Sequence, residues 1–348
     1  MRCPSTTSIS FSELKTRAQS IVMSRLLPVS PVIETEISEK LVSVLQQYFL
    51  VPVHVDRVYS LPGHLHPLYL IRLSNESHLL LKCSPGPKTS PPRREHILLD
   101  TEARVLSLLN KKFIHHIPQL LHYDPRGELL GPPFLVRHHT QGSTLEDMAL
   151  RLTTQERMSI DRNLGTLAKR IAQHSSDTFG SLGQVAKARG STSWREAFLG
   201  LFEGILREAE DVFVNLPYGE IRYHTIQKSS ALDEVLVSRL VLVDFGHPSQ
   251  VLISPESKRL CGITGFGTAV WGDVYMAHIF ENPSSPVMEG FGSTIPKSQA
   301  ARTRQLLYSC YRAIHRIVLQ FYRKNRDTAA EMDARRQLMT ALGRMSLL

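Results

Sequence analysis

No stretch of eighteen consecutive apolar residues occurs anywhere in the 348-residue chain, so a membrane-spanning helix is not expected. The first residues, MRCPSTTSISFSELKTRAQS, lack a continuous apolar segment, so no secretory signal is expected there. Cysteine is scarce. Cys3, Cys83, Cys261 and Cys310 are scattered without paired spacing, which argues against a disulfide framework and against a zinc site. These absences point to a cytoplasmic, reduced setting. Zinc-finger spacing and aromatic–glycine RNA motifs are missing too, so nucleic acid is not an expected partner. Nothing repeats at a solenoid period.

What is present is ordinary globular composition, 42% hydrophobic and 21% charged, with a net charge of +9. The length suits one large domain or two lobes around a cleft. A positive cleft attracts phosphates or acidic metabolites, and a positive surface leaves room for a protein partner.

The patterning divides the chain. Residues 1–30 are rich in serine and threonine and are expected to be poorly ordered at the tip. Glu34 to Phe49 has helical periodicity. VDRVYSL, LYLIRLS and HLLLKCS read as strands, with turns at LPGH (61–64) and SNES (74–77). The segment 84–95 is a proline-rich loop. Glu95 to Lys111 carries an apolar helical face, and IPQLLHYD and PPFLVRHH read as a strand pair. Beyond Gly142 the chain turns helical, over Leu145–Leu152, Glu156–His174, Trp194–Phe213 and Thr303–Arg323. A short strand-rich insert lies between the last two. The expectation is a bilobal α+β fold: an N-terminal extension and helix (1–49), a strand-rich lobe (50–141), and a mainly helical lobe (142–348) containing the insert 241–273.

The motifs of the insert and of HLLLKCS resemble those of the aminoglycoside phosphotransferase-like family, a small-molecule branch of the protein-kinase-like fold. The resemblance spans about residues 50–325. It is to the type of sequence abundant in fungi, where some members sit in secondary-metabolite pathways. It implies a nucleotide cleft between the lobes and a small-molecule acceptor. It also implies that Lys82 reaches the nucleotide phosphates and that Glu102, twenty residues on in a helix, orients it. By residue type alone, Lys82 and Glu102 fit water-facing positions equally well. Backbone groups around Val136 would face an adenine in the segment linking the lobes. Gly63 marks a phosphate-covering turn or a plain hairpin. His174, Phe179 and Gly180 match a family helix end and turn, and read as packing residues.

The family's catalytic loop is H-G-D-x-H-P-x-N, where Asp accepts the acceptor hydroxyl's proton and Asn helps hold the metal. In VDFGHPSQ, His247 and Pro248 keep the frame, Gln250 replaces the Asn and Phe245 stands in the place of the catalytic Asp. Asp244 is one residue away. In an extended loop that shift turns a side chain to the opposite side, and only a local backbone change restores it. The triplet Asp244-Phe245-Gly246 precedes HPSQ, so it is not equivalent to the metal-binding DFG of protein kinases. Further on, the family has G-x-x-D-W-E-x-A-x-x-G-D. Gly262, Ala269, Gly272 and Asp273 match, Gly265 replaces the metal-binding Asp, and Gly267 replaces the acid after the aromatic. Asp273 reads as a loop brace.

With base and metal carboxylate both altered, the expectation is loss of conventional phosphotransfer. ATP remains a candidate ligand, Mg²⁺ is not expected to be held in the usual way, and no other metal site is expected. Three functions follow. One is a repurposed enzyme of metabolite biosynthesis using Asp244 and His247. Another is a regulatory or scaffolding pseudokinase that keeps Lys82, Glu102 and Gln250 around nucleotide. The last is a divergent ATP-dependent phosphotransferase. A structural role for His247 is the competing explanation for that residue. His138, His139 and His174 have no spacing that requires a triad or a metal.

Overall fold

A computed structural model describes residues 27–49, 51–61, 65–86, 93, 95–112, 114–323 and 326–348. The expectations for Cys3, for Gly63 and for most of 1–30 fall outside these residues.

The N-terminal lobe is built from β1 (Leu27–Pro28), α1 (Pro31–Tyr48), β2 (Val55–Leu61), β3 (Leu68–Leu73), β4 (His78–Cys83), α2 (Glu95–Asn110), β5 (Leu120–Asp124) and β6 (Phe134–His138). Its strands form one six-stranded sheet in the order β1-β2-β3-β4-β6-β5. Alternation assigns the two faces. Leu79, Leu81 and Cys83 of β4, with Phe134 and Val136 of β6, pack against Ile37, Leu41, Val44 and Leu45 of α1. Each fully buried Leu or Ile on this face contributes about 1.5–3 kcal/mol relative to exposure. The alternating positions Leu80, Lys82, Leu135 and Arg137 therefore lie on the opposite face. α1 begins at Pro31, three residues earlier than its apolar pattern indicates, because Ser30 caps it and proline is tolerated in the first turn.

The helical lobe follows as β7 (Ser143–Thr144), α3 (Leu145–Met148), α4 (Thr154–Ala172), β8 (Ser175–Ser176), β9 (Gly180–Ser181), α5 (Leu182–Ala186), α6 (Trp194–Asp211) and α7 (Tyr218–Gln227). Next come β10 (Ser238–Leu242), β11 (Val251–Ile253), β12 (Leu260–Ile263), β13 (Ala269–Gly272), α8 (Ser285–Phe291), α9 (Gln299–Tyr322) and α10 (Thr328–Ser346). The fold is a bilobal α+β architecture of the protein-kinase type. The helix expected over Leu145–Leu152 is only α3 followed by a 3-10 turn at 149–151. α4 starts at a capping box in which Thr153 and Glu156 bond each other's backbone. α7, α8 and α10 were not read from the sequence. α7 buries Ile221 but leaves Tyr223 and Ile226 exposed, so its apolar residues trace no continuous buried face.

The insert makes two small sheets, β8-β10-β13-β9 and β12-β11-β7. β10 pairs antiparallel with β13, Leu240 opposite Trp271 and Leu242 opposite Ala269. The loop between β10 and β11 and the loop between β12 and β13 are thereby brought side by side, next to α9.

Candidate active site

Lys82 and Glu102 meet. The Lys82 ammonium donates to Glu102 Oε2 at 2.8 Å, joining β4 to α2. Glu102 is 4% exposed. Burial pushes its pKa up, but Lys82 and Arg137 outweigh that and hold it below the usual carboxylate range. Arg137 Nε lies 3.4 Å from Glu102 Oε1, a long contact rather than a well-formed hydrogen bond. One carboxylate thus serves two cations on the sheet face away from α1. Arg137 was not singled out from the sequence. Its position opposite Leu80, two residues before Lys82 on the same face, is the signal that locates it. The Val136 side chain lies in the core under α1, and its backbone, the part expected to face a base, sits in register between Leu81 and His122.

In the second cluster, Phe245 is 4% exposed and belongs to the core of the helical lobe. Asp244 is partly buried, with Thr268, His315, His247 and His278 nearby, and the Thr268 hydroxyl donates to the Gly265 carbonyl at 3.3 Å. Burial raises its pKa, but His315, Thr268 and the two other histidines bring it below the ordinary value, so it is ionised at neutral pH. The turn is possible because Gly246 adopts φ +88°, and a Cβ there would lie 2.6 Å from that of Ile279.

His247 caps the 3-10 turn 248–250. Its Nδ1 accepts from the Ser249 backbone N–H at 3.3 Å and lies 2.8 Å from the Ser249 hydroxyl. Burial, together with His278 and Arg316, pulls its pKa down to about 4. The ring is therefore neutral near pH 7, and with Nδ1 accepting, the proton sits on Nε2. The His278 ring stacks on it at a tilt, centroids 5.0 Å apart. Glu281 completes the cluster. It contacts His278 Nδ1 at 3.3 Å and Arg312 at 3.3 Å, and it accepts from Ser309 at 2.7 Å. Burial opposes its ionisation, but His278, Arg312 and Ser309 hold its pKa well below normal.

His278, Glu281, Arg312 and His315 were all missed in the sequence. For Arg312 and His315 the available signal was the inward face of α9, where Arg304, Tyr308, Arg312 and His315 recur at helical spacing and are all buried. Polar groups at core positions need partners. Tyr308 and Arg304 have theirs in Asp273, at 2.8 Å and 3.3 Å, and Trp194 donates to the Tyr308 oxygen at 2.9 Å. Asp273 also accepts from Tyr275 N–H at 3.0 Å, which makes it a brace between loop and helix.

Gln250 stands apart from these histidines. Its Oε1 accepts a short hydrogen bond from the Thr264 hydroxyl, and the Thr264 N–H donates to its backbone carbonyl at 2.9 Å. Gly265 follows at φ +82°, and a Cβ there would come 3.0 Å from Gln250 Oε1. At Gly267 a Cβ would meet Leu98 of α2 at 2.4 Å. The residues at this position fit a magnesium ion poorly: Gly265 offers no side-chain oxygen, and the Gln250 amide oxygen, neutral and already accepting from Thr264, is the one side-chain oxygen left from the matched pair. Among the described residues, no group of three or more His, Cys, Asp or Glu has metal-holding geometry.

Residues 62–276 match the phosphotransferase enzyme family. That is more than half of the chain. The chain belongs to this family. Solved structures agree on the fold. A putative fructosamine-3-kinase from Thermobifida fusca superposes with a TM-score of 0.59 at 16% identity, over 88% of this chain and 98% of that one. A putative aminoglycoside phosphotransferase from Ralstonia eutropha gives 0.60 at 11% identity, over 88% and 98%. The GDP and kanamycin complex of APH(2")-IIIa gives 0.56 at 20% identity, over 86% and 97%. A comparison with curated protein sequences found no match. No helix among the described residues of this phosphotransferase-family protein is long and apolar enough to cross a membrane.

Proposed function

We propose that this phosphotransferase-family protein no longer performs magnesium-dependent phosphoryl transfer, and that its site carries out acid–base conversion of a small metabolite with Asp244 as the base. The observation that carries this is the exchange of roles within one loop. Phe245 fills the core while the neighbouring carboxylate, Asp244, is ionised and turned toward histidines of two other segments.

Asp244 accepts a proton from the substrate. His247, neutral with its proton on Nε2, donates a hydrogen bond to the atom on which charge develops. The pair suits isomerisation, cyclisation or dehydration, none of which needs an anhydride. Lys82, held by Glu102 beside Arg137, is the group that would take a nucleotide phosphate or another anionic substituent. Bound ATP would supply a transferable phosphoryl group, but Gly265 leaves magnesium without a carboxylate ligand there. The lobes divide near Gly142 in this proposal.

A regulatory pseudokinase is the second reading. It is favoured by the intact Lys82–Glu102 pair, which is suited to holding ATP without turnover.

The test is metabolite depletion followed by mass spectrometry. Wild type and Asp244→Asn are incubated with a small-molecule extract of the source organism in EDTA, without added ATP. A compound consumed by wild type but not by Asp244→Asn, at equal thermal stability, is the expected result. Equal consumption by both proteins would remove Asp244 from the chemistry. ATP binding with no compound consumed would favour the pseudokinase.

A further inference from the structure

We infer that the cavity bounded by α2, α5, α6 and α9 receives a flat, largely apolar molecule bearing a carboxylate, seated against the Thr268 and His315 side chains that neighbour Asp244; this rests on the function proposed above. The cavity has a volume of about 370 Å³, within the range of small-molecule sites. Thr268 and His315, the two strongest neighbours of the Asp244 carboxylate, line it. Lys82 and Glu102 do not line it, and neither do Asp244 and His247, which lie behind that wall.

Its walls are mostly hydrocarbon, from Leu98, Leu201, Val243, Val270 and Leu319. Gly200 and Gly204 of α6 also line it, one helical turn apart on one face. A Cβ at either would meet nothing within 4 Å, so packing does not require glycine there, and each weakens the helix relative to alanine. The result is a bare strip of backbone on which a planar ring system can lie. Gly267 in the same wall differs, because Leu98 closes on it.

The rim sets the charge of the occupant. Lys187 and Arg189 are exposed, and among the described residues neither has an acidic partner. The acid at the rim, Asp100, is bound by Arg104 at 2.7 Å. The rim therefore favours an anion.

The experiment uses three probes of one shape, naphthoate, naphthamide and naphthylmethylammonium, titrated into the full chain by calorimetry. Naphthoate is expected to bind roughly tenfold tighter than the amide, with the ammonium weakest. Gly204→Leu should weaken naphthoate by at least about tenfold while the melting temperature holds or rises, because leucine is the better helix former. Arg189→Glu should weaken it by roughly threefold or more, as expected of a solvent-exposed charge. ATP should not compete with naphthoate.

Asp244→Asn should bind naphthoate as wild type does. Binding retained with turnover lost would then support the cavity and the base together, and binding without any Asp244-dependent turnover would overturn only the chemistry. No naphthoate binding, tightest binding of the ammonium, or unchanged affinity in Gly204→Leu would overturn the inference.

Discussion

The two lobes of this protein treat their functional positions in opposite ways. In the strand-rich lobe, the sheet and α2 hold a buried charged trio in which the Glu102 carboxylate faces both Lys82 and Arg137. In the helical lobe, the positions that resemble a metal and base site carry a hydrogen-bonded amide, a left-handed glycine and a buried phenylalanine. Charged side chains stand at the first set of positions and uncharged ones at the second. In the second region Gln250 occupies the space beside Gly265, Leu98 occupies the space beside Gly267, and histidines surround the Asp244 carboxylate.

Putting the family's residue back at Phe245 is the most severe way to break this contrast. Phe245→Asp is expected to cost about 4 kcal/mol or more in urea unfolding, because it removes a core aromatic and buries a carboxylate. A stable variant with regained phosphotransfer would refute the placement of Phe245. In the other lobe, Glu102→Gln leaves two inward cations facing a neutral amide, and a loss of about 3 kcal/mol is expected by the same measurement. Little or no loss would mean that the trio is not a coupled unit.

Gly265→Asp offers a gentler test. The left-handed backbone and the nearby Gln250 amide should cost about 1–2 kcal/mol. Magnesium should add no thermal shift to that variant, since Gln250 stays committed to Thr264. A magnesium-dependent rise in melting temperature would show that the site needs only its carboxylate.

The smallest effect is a pH dependence. His247 is pulled to about 4 in the fold, against about 6.5 for a free imidazole. The unfolded chain therefore binds more protons between those values. Stability attributable to this group is full above pH 6.5 and is lost as pH falls toward 4. His139, also pulled to about 4 by burial, acts in the same direction. His247→Gln should reduce proton uptake on unfolding at pH 5 by about one proton, measured by calorimetry in buffers of different ionisation enthalpy. Unchanged uptake would place His247 in solvent.

The strand-rich lobe was largely legible because its signals are local. Alternation in HLLLKCS and helical spacing in DTEARVLSLL marked a strand and a helix, the family resemblance paired Lys82 with Glu102, and the structure joins them. The same alternation, followed one strand further, turns Val136 into the core and Arg137 toward Glu102. The helical lobe was legible only as a frame. Asp244 and His247 could be named, but their neighbours His278, Glu281, Arg312 and His315 come from segments about 30 to 70 residues later. Within α9 these polar residues interrupt an apolar stripe, which a periodicity search treats as noise. α10 escaped because arginines crowd the helix around its inward residues Ala334, Leu338 and Ala341.

The central claim is that ATP, if held by the Lys82 side, is held without magnesium and keeps its γ-phosphate. Calorimetric titration of ATP in EDTA and in magnesium, with radiolabel followed in the same samples, tests it most directly. The account predicts affinities within about threefold of each other, less than 1 kcal/mol apart, and no transfer of label. Binding tightened tenfold or more by magnesium, with label appearing on a small molecule, would contradict it.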